Sequence, residues 1–99
     1  MSSPVFIGDE VSAAAYRLAG MRTRTPPQAE VVSTLHWARA EAPLVLISAE
    51  YAALLPKRDL NQALAGLSPP VLVVGDVRGR HPAPDLAARM RRQLGVEAT

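Results

Sequence analysis

Residues able to do chemistry gather at three points of the 99-residue chain, each just after an apolar run: Gly8-Asp9-Glu10, Ser48-Ala49-Glu50 and Gly75-Asp76. Carboxylates and hydroxyls at such positions can ligate a cation, move a proton or hold a substrate. A phosphate site would need a glycine-rich loop whose amides face the anion. Here the first turn has one glycine followed by two acids, and Lys57, the sole lysine, stands in no such loop. The two histidines, His36 and His81, lack metal-ligand spacing, and no serine sits in a Gly-x-Ser-x-Gly turn. With no cysteine, disulfides, thiolate metal sites and thiol nucleophiles are excluded. Asp9 is therefore read first as a helix cap, and no catalytic, metal-binding or cofactor-binding residue is assigned.

The elements that must hold these turns can be read along the chain. Val5-Phe6-Ile7 is a short buried strand ending at Gly8, and Val11–Ala19 is a helix stopped by Gly20. A helical wheel places Val11, Ala14, Ala15 and Leu18 on one face, with Arg17 away from it, and this face is expected to lie close against a sheet. Met21–Thr25, alternating around Arg22 and Arg24, suits a charge-protected edge strand. Pro26-Pro27 opens a helix from Gln28 to Glu41, whose stripe is Val31, Leu35, Ala38 and Ala42. Leu44–Ile47 is a strand, Ala49–Leu55 a short helix ended by Pro56, and Asp59–Leu67 a further turn or helix. Val71–Val74 is the last buried strand, the loop Gly75–Pro84 follows, and a helix from Asp85 to Leu94 closes at Gly95.

Three of these strands are continuous apolar runs, so both sheet faces must be covered. Right-handed crossovers then predict a four-stranded parallel sheet of order 2-1-3-4 between helical layers, a receiver- or flavodoxin-like three-layer sandwich with a C-terminal helix. Residues 1–78 form the Rossmann-like α/β body, and 79–99 supply the loop and last helix of the same single domain. An excess of 11 Lys and Arg over 9 Asp and Glu is too mild for a nucleic-acid footprint. Neither Pro43–Ile47 nor Pro69–Gly75 approaches the length of a membrane span, so no direct membrane insertion is expected.

Within this fold, acids after the first strand are what a phospho-receiver uses to hold magnesium. A receiver also needs an acceptor Asp at the end of the third strand and a Lys after a later one, where this chain has Ser48 and Gly75-Asp76. A stand-alone receiver-like signalling or phosphocarrier domain lacking the acceptor Asp is the alternative function, and a small-anion enzyme is a third.

The turn and its helix resemble a known family. Phe6-Ile7-Gly8-Asp9-Glu10, followed by Tyr16-Arg17-Leu18-Ala19-Gly20, is similar to the opening signature of the F subunit of V-type and A-type ATPases. Leu44–Tyr51, Leu54-Leu55-Pro56 and Pro70–Val74 follow in that family's order. Where the family continues with Asp and Thr, and with Gly before the aromatic, this chain has Val11, Ser12 and Ala15. The resemblance implies a non-catalytic rotor part of the central stalk, cytoplasmic and peripheral to the membrane. Such a part binds the long coiled-coil rotor protein, the D subunit, together with the catalytic head. It uses no cofactor and no nucleic acid, and helps couple ATP chemistry to ion transport.

Partner-binding candidates follow from surface chemistry. Trp37 lies opposite the Val31-Leu35-Ala38 stripe, beside Glu30 and Glu41, and either anchors a partner or covers a neighbouring element. On the last helix Leu86, Met90 and Leu94 form a stripe, with Arg89, Arg91 and Arg92 around it facing solvent or an acidic coiled coil. Gly8, Asp9 and Gly20 are the expected structural turn and cap residues.

Overall fold

The computed structural model describes residues 3–66 and 68–75. The expected last helix, with Arg89, Met90, Arg91 and Arg92, lies outside the described residues, as does the loop after Gly75. Strands β1 (Val5–Ile7), β2 (Arg22–Arg24), β3 (Val45–Ser48) and β4 (Val71–Val74) form one sheet of order β2-β1-β3-β4. All three pairings are parallel, with Phe6 opposite Thr23 and Leu46, and Leu46 opposite Leu72. This is the doubly wound order anticipated from the apolar runs, and its switch point falls between β1 and β3.

Helices α1 (Glu10–Leu18), α2 (Val31–Glu41), α3 (Ala49–Ala52) and α4 (Lys57–Ala65) connect the strands. The main core lies on one face, where Val5, Ile7, Val45, Ile47, Val71 and Val73 meet Val31, Leu35 and Ala38 of α2, Ala52 of α3 and Ala63 of α4. Period-two alternation sends Phe6 to the other face. There its ring stacks on Tyr16 of α1, with centroids 4.3 Å apart and planes 21° from parallel.

That stack corrects the expected seating of α1. The buried residues of α1 are Ser12 and Ala13, on the Tyr16 side, whereas Val11, Ala14, Ala15 and Leu18 face solvent. A wheel counts the apolar residues of one helix, but not the ring on the sheet that Tyr16 stacks against. Once Tyr16 lies on Phe6, helical geometry turns positions 11, 14, 15 and 18 outward. Close approach to the sheet is still by small side chains, but the pair that permits it is Ser12 and Ala13.

Both ends of α1 are closed by local chemistry. The Asp9 carboxylate accepts a 3.0 Å hydrogen bond from the backbone N–H of Ser12, satisfying one of the orphan donors of the first turn. At the other end Gly20 adopts φ +94°, and the N–H groups of Ala19, Gly20 and Met21 return to the carbonyls of Tyr16 and Arg17. That left-handed position suits glycine, because it has no Cβ to clash. Asp9→Ala is expected to lower unfolding stability by about 0.5–2 kcal/mol. Chemical denaturation of the variant against wild type measures it, and an unchanged midpoint would show that the cap contributes nothing.

Other boundaries shift for identifiable reasons. The expected Gln28–Glu41 helix begins as a 3-10 turn, Gln28–Glu30, before α2 proper. Its first residues follow Pro27, which lacks an N–H and holds an extended ψ of 159°. The later helix starts at Lys57, directly after Pro56, rather than at Asp59, since proline suits the entrance to a helix.

Candidate docking surface at the sheet edge

The carboxyl ends of the strands are where the sequence places its acids, and the fold separates them. Asp9 turns back to cap α1, while Glu10 reaches along the helix to Arg17, Oε2 to Nη2, at 3.0 Å. Ser48 is fully buried, and its hydroxyl accepts a 3.1 Å hydrogen bond from the N–H of Tyr51, capping α3. At the receiver acceptor position the chain therefore has a buried capping hydroxyl. Among the described residues no group of three or more His, Asp or Glu side chains could hold a metal ion.

Tyr51 completes this end of the sheet. Burial, then the carboxylates of Glu50 and Asp9, push its phenol above the ordinary value of 10.0. A group whose pKa is raised on folding favours the native state while it stays protonated, and that contribution is lost as pH rises through the folded value. Stability is thus expected to fall on the alkaline side of 10.0. Tyr51→Phe should flatten that limb, and unfolding midpoints between neutral and strongly alkaline pH would show whether it does.

His36 lies on the exposed side of α2, with Nε2 3.9 Å from Asp59 Oδ1 on α4. The two side chains are beyond hydrogen-bond distance, and His36 borders a shallow surface groove with Arg39, Gln62 and Ser68.

A second cluster of exposed chemistry lies at the other margin of the sheet. Because β2 alternates, Arg22 and Arg24 project to the same face, and both meet the indole of Trp37 from α2. The guanidinium carbon of Arg24 stands 4.4 Å from the ring centroid and that of Arg22 stands 5.5 Å. Each such contact stabilises by about 0.5–1 kcal/mol at an exposed site. Arg22 also donates from Nη2 to the carbonyls of Ser3 (3.0 Å) and Glu41 (3.3 Å). The second places positive charge at the carbonyl end of α2, where the helix dipole favours it.

Arg24 has a different task. Alternation along a parallel edge strand turns the backbone groups of Thr23 away from β1, and Arg24 Nη1 donates 2.9 Å to that Thr23 carbonyl. The outer edge is thereby capped by a charged side chain, which discourages a further strand from adding there. Beside it lies an open groove of about 480 Å³ between β2 and α2, bordered by Arg24, Pro26, Glu30, Thr34 and Trp37.

Of the expected partner-binding residues, Trp37 is half-buried: it packs against the core, carries the two guanidinium groups over its ring, and borders the groove. It covers a neighbouring element, and the groove beside it is open. Edge protection is only part of what Arg22 and Arg24 do, since their period-two spacing sets both on one face. What sequence could not supply was which helix that face would meet. Compared with models of known protein families and with curated proteins, the sequence matches none.

Proposed function

We propose that this chain is a non-catalytic central-stalk component of a V/A-type rotary ATPase. In this role it binds the long coiled-coil rotor protein, contacts the catalytic head, and helps couple ATP hydrolysis or synthesis to ion translocation. It works in the cytoplasm, peripheral to the membrane, and its Arg89, Met90, Arg91 and Arg92 are further candidate contacts.

The observation carrying this reading is the Trp37 platform, an indole with the Arg22 and Arg24 guanidinium groups over it, bordering an open groove at the sheet edge. Trp and Arg are the residues that most often dominate protein–protein binding energy. The residues behind the family resemblance support it differently: Asp9 caps, Gly20 terminates and Tyr16 stacks on Phe6. Signature residues that serve the ends and seating of α1 suit a part that works by contact.

Trp37 is the sole tryptophan, so its fluorescence reports on the surface directly. Titrating the chain with the coiled-coil rotor protein is expected to shift that emission and yield a co-eluting complex. Trp37→Ala should weaken the complex about tenfold or more, as for a central anchor. A chain that elutes alone beside a stoichiometric amount of the rotor protein, with unchanged emission, would sink the proposal.

A further inference from the structure

Arg39, in the last turn of α2, is half-buried, yet among the described residues it makes no hydrogen bond or ion pair. Its Nε is closed off from solvent without an acceptor. Positive charge at the carbonyl end of a helix suits the dipole, and a solvated arginine there would need no further account. A guanidinium with a buried, unanswered donor does need one, because such a group costs stability until an acceptor reaches it. Gly66, directly after α4, helps to hold it there. A Cβ on Gly66 would stand 3.1 Å from Arg39 Nη2, so the missing side chain lets the guanidinium lie against the backbone.

Beside it runs a groove of about 350 Å³ between α2 and α4, near their carbonyl ends, bordered by His36, Arg39, Gln62 and Ser68. Each of these side chains can donate a hydrogen bond. His36 Nε2 is 3.9 Å from Asp59, too far for its own bond to be made there. We propose that this groove binds a carboxylate carrying a single negative charge, with Arg39 as its permanent cation and Gln62, Ser68 and His36 as further donors. A planar carboxylate matches the guanidinium fork and brings two oxygens to a group that otherwise has no acceptor. This chemistry is independent of the stalk reading above.

Charge and size select this ligand. Among the described residues, Arg39 is the one permanent cation bordering the groove. The Asp59 carboxylate is close by, and both α2 and α4 end here with their carbonyls. Each of these opposes a second negative charge, so a phosphate monoester, largely a dianion at neutral pH, is disfavoured. The volume lies near the lower end of the range for small-molecule sites. It admits a small acid or the last residue of a peptide, and the two share the same carboxylate chemistry.

The test follows the full, isotopically labelled chain by NMR, reading the Arg39 Nε–H signal and the backbone amides of Gln62 and Ser68. The probes are N-acetylglycine, its uncharged amide, methyl phosphate, and a tetrapeptide ending in glycine with a free carboxylate. All titrations are made at one ionic strength, set with sodium chloride. N-acetylglycine is expected to shift these signals saturably, while its amide leaves them in place. Arg39→Gln should weaken binding about tenfold or more, as for the loss of a charged hydrogen-bonding partner. Arg39→Lys keeps the charge but not the fork, and should also lose affinity. In Gly66→Ala the new Cβ displaces the guanidinium, while φ −73° and ψ 142° at this residue suit alanine. A weaker site with a near-wild-type melting temperature is therefore expected. Tighter binding of the tetrapeptide supports a chain end as the ligand, and equal affinity supports a free acid. The site is overturned if the amide binds as well as the acid, or if Arg39→Gln binds as tightly as wild type. It is overturned equally if N-acetylglycine produces no saturable shift. Tighter binding of methyl phosphate would overturn the single-charge assignment. None of these results touches the stalk reading, which stands or falls on the rotor-protein titration.

Discussion

Phe6→Ala is expected to remove about 3–5 kcal/mol of unfolding free energy, a large part of what a small domain possesses. Phe6 is fully buried in the middle of β1, with Thr23 and Leu46 as its register partners. Its ring makes the 4.3 Å stack on Tyr16. No residue of α1 belongs to the main core cluster on the opposite face, so this aromatic pair is the principal apolar attachment of the helix among the described residues. Loss of the ring leaves a cavity between β1 and α1 as well as the lost transfer energy. At about 4–8 °C per kcal/mol for a domain of this size, the melting temperature should fall by well over 10 °C. Urea unfolding followed by circular dichroism measures the change. A loss under about 1 kcal/mol would mean that α1 is held by something other than this stack.

Gly8→Ala should be nearly as harmful for the opposite reason. A Cβ on Gly8 would lie 2.3 Å from Cζ and 2.7 Å from Cε2 of Phe6, and 3.1 Å from Cβ of Ser48. The ring cannot swing clear without leaving Tyr16, and Ser48 is held as the cap of α3. Overpacking of this kind costs about 1–3 kcal/mol, and here the rigidity of both neighbours argues for the upper part of that range. A double-mutant cycle isolates the cause. Leucine at position 6 has no atom where Cζ stood, so Gly8→Ala should cost less in the Phe6→Leu background, with a coupling of about 1 kcal/mol or more. Strict additivity would show that the strain arises from the backbone at position 8 and not from the ring.

These two residues explain why the opening turn stands out. Val5-Phe6-Ile7 announces a strand buried on both faces, and Gly8-Asp9 announces the turn and cap that follow it. Both signals are local: a run of apolar residues and a side chain that can reach the third N–H beyond it. The sheet order was legible too, since parallel strands joined by helices admit few right-handed arrangements. The paired acids were legible as residues but not as a site. Whether Asp9 and Glu10 converge depends on how the helix after them is rotated, and that rotation sends Glu10 to Arg17.

The amino-acid order by itself determined the strands of this protein, their parallel stacking, the capped entrance of α1 and its glycine exit. Each follows from interactions within a few residues or from the handedness common to all L-peptides. Only the tertiary structure decided which side of α1 faces inward and what covers Trp37. The first answer depends on one ring finding another across a layer, which the stripe of Val11, Ala14, Ala15 and Leu18 does not reveal. The second depends on β2 lying beside β1, so that Arg22 and Arg24 come over an indole from a helix later in the chain. Contacts between distant segments are set by packing the whole domain, and the spacing within either segment does not specify its partner.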